Sequence, residues 1–262
     1  MRALNIGASG MEAQQLNVEV ISNNIANLST TGFKSSRAEF QDLLYQNLRS
    51  VGSQSSDTGT VLPSGLQVGL GVKPAATYRI NSQGNLTVTN NPLDLAINGG
   101  GYFQVQLPDG TVAYSRDGSF QLNSTGQLVT AEGYLVLPSI TVPSTATAVD
   151  VNASGQVMAS ISGQTNQQVL GQLQLASFID PAGLNAIGDN LLQETQASGT
   201  PVTGNPGTNQ FGSVVQGSLE TSNVDIVSEI TDLISAQRAY EMNSRVINTA
   251  DQMLQTADQM KT

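Results

Sequence analysis

Histidine, cysteine and tryptophan are all absent from this 262-residue chain. Without histidine, the commonest general base and the commonest metal ligand are both missing. Without cysteine there are no disulfides, thiolate nucleophiles or Cys-ligated metals. Charge is scarce as well, at 11% of residues, and lopsided: 10 Lys and Arg stand against 20 Asp and Glu, a net charge of −10. No basic cluster is available to track phosphates, so no nucleic acid is expected as a partner. No stretch approaches the ~18 apolar residues of a membrane-spanning helix, and no membrane span is expected. The start, Met1-Arg2-Ala3-Leu4-Asn5, lacks the apolar core and cleavage site of a secretory signal. The expectation is a cytoplasmic chain, or one exported without a cleaved signal peptide.

What is present is patterned. From 223 to 260 a helical pattern runs without Gly or Pro. Ile226, Leu233, Tyr240, Ile247 and Leu254 recur every seven residues, beside a second row of Val246, Ala250, Met253, Ala257 and Met260. Two adjoining apolar rows make one stripe along a helix. Ser222 or Asn223 is the expected cap, with Asp225 in the first turn, where a carboxylate suits the helix dipole. The amino end repeats the device in shorter form, with Leu4, Met11, Val18 and Ile25 seven apart, although Gly7 and Gln14 weaken its second row. That helix is expected from about 3 to about 28, closed by the poor helix formers Ser29-Thr30-Thr31-Gly32. The two heptad rows are the candidate assembly interface: either each helix packs on a central domain, or the helices pair antiparallel with each other and with other copies of the chain.

Between the ends the texture changes. Phe40, Leu43, Leu44 and Leu48 suggest a short helix, and the Ser-, Gly- and Gln-rich residues that follow suggest a long loop. From about 76 onward the apolar period becomes two, with turns at Pro108-Asp109-Gly110 and Arg116-Asp117-Gly118, the pattern of a chain of hairpins. One unit recurs at Tyr78 to Leu86, Phe120 to Leu128 and Val149 to Val157: apolar, polar, apolar, Asn, two small or polar residues, Gly, amide, apolar. It reads as a strand, a tight turn whose Asn bonds its own backbone and whose Gly takes positive φ, and a returning strand. Residues 196–213 read as a second linker.

The expected fold is therefore α+β, with terminal helices forming an antiparallel coiled-coil-like pair around a central all-β domain of hairpins. Residues 1–32 and 222–262 are expected to form the helical assembly domain, 33–75 and 196–221 the connecting segments, and 76–195 the β domain. No catalytic, cofactor-binding or metal-ligating residue is expected. Asp109 and Asp117 sit where turns favour Asp, and a catalytic pair needs two converging carboxylates. Gly99-Gly100-Gly101 is followed by a strand pattern, not by the helix N-terminus that a phosphate loop needs.

Asn23-Asn24-Ile25-Ala26-Asn27-Leu28-Ser29-Thr30-Thr31-Gly32-Phe33-Lys34 closely resembles the amino-terminal signature of bacterial flagellar rod, hook and hook-associated axial proteins. Gly217-Ser218-Leu219-Glu220-Thr221-Ser222-Asn223-Val224-Asp225 is similar to that family's entry into its carboxy-terminal helix. Asn24, Asn27, Thr30, Gly32, Phe33, Lys34, Glu220, Ser222 and Asn223 are the motif residues carried over. Ser82-Gln83-Gly84-Asn85-Leu86 and the stretch from Leu95 to Phe103 are similar to further family motifs. Within the family, Leu62-Pro63-Ser64-Gly65-Leu66, Leu107-Pro108-Asp109-Gly110-Thr111 and the added polar stretch 46–63 look most like the distal-rod branch. Proximal-rod and hook-type members are the alternative.

The resemblance implies a structural subunit of the flagellar basal body, self-assembled as a homo-oligomeric helical tube that crosses the periplasm and transmits torque to the hook. It implies proximal rod proteins, hook protein and surrounding ring proteins as partners, and unfolded export by the flagellar type III apparatus. A β-rich adhesin or carbohydrate-binding module is the competing class, against which the absence of Trp counts.

Overall fold

The computed structural model describes residues 2–49, 65–163, 166–208 and 210–260. Much of the polar stretch 46–63, and of the loop expected there, lies outside the described residues. The chain forms two compact units: Met1–Ile25, Ser36–Tyr78 and Ile226–Thr262 make the first, Ala26–Ser35 and Arg79–Asp225 the second. The α+β expectation holds, with a helix at each end and a β-rich middle.

The first unit contains helices α1 (Arg2–Ala26) and α2 (Ile226–Gln259). Helix α2 starts later than the sequence suggests. Ser222 and Asn223 do not cap it, because the helix begins only at Ile226, and Asp225 occupies the residue before the first turn, where a carboxylate is favoured. The short helix expected around 40–48 is absent. Its residues form strands Ser36–Asp42 and Tyr45–Arg49, paired with Val72–Arg79 and Leu66–Gly69 respectively. The apolar spacing that suggested a helix was too short to outweigh strand partners farther along the chain, such as Gly69 opposite Tyr45 and Leu66 opposite Arg49.

The second unit is built on an antiparallel sheet ordered Asn185–Gly188, Leu191–Gln193, Val112–Ser115, Tyr102–Gln106, Leu135–Leu137, Leu128–Val129, Gln121–Leu122. Leu175–Ser177 also pairs with Tyr102–Gln106 and carries Val202–Gly204, so part of the supposed linker 196–213 belongs to this sheet. The chain leaves the sheet after Leu137, passes Pro138 and Pro143, and enters a three-stranded sheet of Ala146–Val151, Gln156–Ile161 and Gln168–Gln172. Two smaller pairs complete the unit, Leu95–Asn98 with Ser213–Gln216 and Leu86–Val88 with Ser218–Glu220.

Side chains from these sheets meet in one core that includes Leu95, Ile97, Phe103, Phe120, Val136, Val157, Leu175 and Val214. Phe103 and Phe120 pack edge to face, centroids 5.0 Å apart at 84°. Such pairs contribute about 0.5–1.5 kcal/mol beyond their area.

The recurrent turn is real twice. Asn123 Oδ1 accepts the backbone N–H groups of Thr125 (3.0 Å) and Gln127 (2.8 Å), and Gly126 takes φ +77. Asn152 Oδ1 accepts Gln156 N at 2.8 Å, and Gly155 takes φ +79. The third copy is no hairpin. Asn81 Oδ1 is buried without a donor among the described residues, Gly84 is not among the positive-φ glycines, and Leu86–Val88 pairs with Ser218–Glu220 instead. The expectation failed there because identical turn chemistry was overruled by a strand from the far end of the chain.

Candidate assembly interface

Helices α1 and α2 approach at small residues. A Cβ on Gly7 would lie 2.9 Å from Ile247 Cγ1, and one on Gly10 2.8 Å from Asn243 Nδ2. At the other end of α1, buried Asn24 donates from Nδ2 to Glu229 Oε1 (3.1 Å) and to Ser36 O (2.8 Å), while its Oδ1 accepts Ser36 N (2.9 Å). As the α1 partner moves from Gly7 to Asn24, the α2 partner falls from Ile247 to Glu229, so the helices run antiparallel. Gly7, which reads in the sequence as a weak point of the seam, is a point of closest approach.

This contact leaves much of the apolar stripe uncovered. In α1 Leu4, Met11, Val18 and Ile25 are half-buried. In α2 Leu233 and Ile247 are half-buried, whereas Ile226, Tyr240 and Leu254 are exposed by 43%, 42% and 41%. The fully buried α2 residues are the small Ala236 and Ala250. Val227, Met242 and Met253 add further exposed apolar surface. Among the described residues, no helix is long and apolar enough to cross a membrane.

Asn24 belongs to the first unit, and the other motif residues lie in the second. Asn27 and Thr30 close the turn after α1: Thr30 N donates to Asn27 O, its Oγ1 to Asn27 Oδ1, and Phe33 N to Thr30 O. Gly32 needs its φ of +68, and a Cβ there would lie 2.8 Å from the backbone of Arg116 and Asp117. Its N–H reaches Glu220 O at 2.8 Å. Lys34 Nζ then donates to Glu220 Oε1 at 2.5 Å and to Ser82 O at 2.8 Å, with the two ionic side chains 5% and 0% exposed.

Glu220 Oε1 also accepts Gly84 N at 2.9 Å, and Arg116 Nη1 stands 3.5 Å from its Oε2. Asn223 finishes the junction. Its Oδ1 accepts Ser35 N (2.7 Å), and its Nδ2 donates to Ile80 O (2.8 Å) and to Ser82 Oγ (3.1 Å). Ser222 Oγ accepts Val224 N.

Burial pushes the Lys34 ammonium below the usual lysine range; the hydrogen bond and charge of Glu220 pull it back, and Arg116 lowers it further. Burial raises the Tyr102 phenol, against the opposing charges of Arg116 and Arg79. In the first unit, burial raises the Glu229 carboxyl, opposed by the Asn24 hydrogen bond and assisted by Asp232. Asp109 and Asp117 do what turn carboxylates do: Asp109 Oδ1 accepts Thr111 N and Oγ1, and Asp117 Oδ1 accepts Ser119 N.

Sequence reasoning missed Arg116, taken as a turn residue, and Gly84, taken as a hairpin glycine. A Cβ on Gly84 would fall 2.0 Å from Thr221 O, so its role is to let two distant segments touch. The available signal for Arg116 was scarcity, since between residues 79 and 225 the only Lys or Arg residues are Arg79 and Arg116.

Three family models match the chain: "Flagella basal body rod protein" over residues 4–34, "Flagellar hook protein FlgE/F/G D1 domain" over 96–159 and "Flagellar basal body rod FlgEFG protein C-terminal" over 215–260. Lys34, Arg116 and Glu220 come one from each matched segment. The chain is 58% identical over 261 residues to the flagellar basal-body rod protein FlgG of Caulobacter vibrioides, covering 100% of both chains. It is 53% identical to that of Buchnera aphidicola from Schizaphis graminum, over 98% of this chain and 99% of the relative. For the protein of the same name from Agrobacterium fabrum the identity is 53%, over 97% of each.

Proposed function

The chain belongs to the flagellar basal-body rod protein family, and from that premise we propose that it is the structural subunit of the distal rod, self-assembling into a rigid helical tube that transmits torque to the hook. The role is structural, without catalysis. The observation that carries the reading is the uncovered apolar surface of α2. The 34 residues of α2 face only 25 in α1, and the side chains left out include Val227 at 71% exposure and Met253 at 61%. Exposed apolar patches of this kind mark association sites. Neighbouring copies that cover them turn a marginal helix pair into a stable one, because binding only the ordered form stabilises it by mass action.

Proximal rod proteins and hook protein flank the subunit along the tube, and ring proteins surround it in the periplasm. Export in an unfolded state, by a route that needs no cleaved signal, accords with a helical unit that is completed only on assembly. The test is assembly in vitro and in cells of chains lacking 2–25 or 226–260, with the second unit checked for folding. Loss of rods with that unit intact supports the reading; rods built from either truncated chain would overturn it.

A further inference from the structure

We propose that Asn98 is a latent deamidation site, the peptide it shares with Gly99 being held by Gln83 in a conformation from which the Asn98 side chain cannot be attacked. Asn98-Gly99 is the only Asn-Gly pair in the chain. Asparagine is among the thermolabile residues, and a following glycine, having no Cβ, leaves its nitrogen the least hindered. Asn98 is exposed, at the end of strand Leu95–Asn98.

The fold demands the glycine. Gly99 takes φ +114, and a Cβ there would lie 2.9 Å from Gly212 Cα. The vulnerable pair is therefore kept and secured by hydrogen bonds. Gln83 brackets it, its Oε1 accepting Gly99 N–H at 3.0 Å and its Nε2 donating to Ile97 O at 3.1 Å. Arg116 Nη2 donates to Gly99 O at 2.7 Å, Gly212 N donates to Gly100 O at 2.7 Å, and Asn98 pairs with Ser213 in antiparallel register.

In deamidation the Gly99 nitrogen gives up its proton to solvent base and bonds to Cγ of Asn98. The Cγ–Nδ2 bond breaks, the departing nitrogen takes up a proton and leaves as ammonia, and a succinimide ring remains. Water then opens the ring at either carbonyl, giving isoaspartate or aspartate. In an antiparallel strand ψ lies at about +135°, and the five-membered ring closes only when the Asn98–Gly99 peptide swings far out of that range. Such a swing parts Gly99 N–H from Gln83 Oε1, the acceptor that also restrains its proton. Because Gln83 is itself exposed, the bracket opens locally, without global unfolding. Isoaspartate routes the main chain through the former side chain and adds one carbon to the strand, which disturbs its pairing with Ser213–Gln216.

The experiment ages the full-length chain at mildly alkaline pH, folded and in denaturing urea, and follows residue 98 by peptide mass mapping, with electron-transfer fragmentation separating isoaspartate from aspartate. The folded chain reacts about a hundredfold more slowly than the unfolded one, and folded Gln83→Ala reacts about tenfold faster than the folded unmodified chain, the worth of one or two hydrogen bonds. Gln83→Glu keeps the acceptor for Gly99 N–H and restores most of the protection. Urea below the unfolding transition leaves the Gln83→Ala rate unchanged, because the opening is local; a merely destabilised fold would react faster as urea rises. Exchange of the Gly99 amide hydrogen in the unmodified chain, slowed as deamidation is, supplies a second readout should the variants fail to fold. Equal rates in the folded and unfolded chain, an unchanged rate in folded Gln83→Ala, no restoration by Gln83→Glu, a rate that climbs with urea, or an unprotected Gly99 amide would each overturn the proposal.

Discussion

Gly7 of α1 and Ile247 of α2 are packed so closely that a single added methyl would stand 2.9 Å from Ile247 Cγ1. A glycine inside a helix ordinarily costs about 1 kcal/mol relative to alanine. Its presence here is explained by the approach it permits. Gly7→Val is therefore expected to weaken the helix pair by about 1–3 kcal/mol, the usual range for overpacking, with recovery in Gly7→Val/Ile247→Ala. Helix content at 222 nm during thermal unfolding measures both; a single variant that melts as the unmodified chain does would remove the close-packing argument.

Gly84→Ala tests a second close approach, between backbones. A Cβ at Gly84 meets Thr221 O at 2.0 Å, and carbonyl oxygen cannot swing aside as a side chain can. The substitution is expected to cost about 3 kcal/mol or more, at the severe end of single changes. The urea midpoint of the β signal reads it, and a shift below about 1 kcal/mol contradicts the geometry.

The three copies of the turn sequence give a controlled comparison. Asn123→Ala and Asn152→Ala each remove side-chain hydrogen bonds to the turn backbone and are expected to cost about 0.5–1.5 kcal/mol. Asn81→Ala removes an oxygen that has no donor among the described residues and is expected to be neutral or slightly stabilising. Equal losses at all three positions would show that the sequence motif, not its structural context, sets the energy.

These residues also show how far the sequence could be read. Both terminal helices and the turns at Asn123 and Asn152 follow from local rules, because each depends on neighbours a few residues away. Asn81 obeys the same local rule but is overruled from 136 residues away, where Thr221 N bonds Asn85 O. Lys34 is legible as a motif residue but not as a buried one: lysine is normally solvated, and only its partner 186 residues later explains its burial. The larger side chains of the seven-residue rows are at most half-buried, whereas full burial falls on Gly7, Ala13, Ile21, Asn24, Ala236 and Ala250. Periodicity does not disclose how closely two backbones approach.

Glu229 makes the helical unit sensitive to pH. Burial raises its folded pKa above the ordinary 4.5, with Asp232 adding and Asn24 opposing. Between 4.5 and the raised value the folded state holds more protons than the unfolded one, so stability falls as pH rises through that window. Glu229→Gln keeps an oxygen to accept from Asn24 and removes the titration. The variant is expected to be more stable than the unmodified chain above the window and to show a flatter profile within it. Helix melts at pH steps from 4 to 7 check this, and an unchanged slope would locate the pH dependence elsewhere.

At the Lys34–Glu220 junction the two partners are not equivalent. Removing either member of a buried pair typically costs about 3–5 kcal/mol, because the other is left uncompensated. Lys34→Met leaves Glu220 facing Arg116, 3.5 Å away, and still accepting Gly84 N. Glu220→Gln instead leaves Lys34 and Arg116 facing each other with no carboxylate between them. The glutamate substitution is thus expected to be the more damaging, near about 5 kcal/mol against a smaller loss for Lys34→Met. Urea midpoints of the two variants and of the double variant measure the difference. A larger loss in Lys34→Met would mean that the ammonium's bond to Ser82 O, rather than the charge on Glu220, holds the two ends of the chain at this junction.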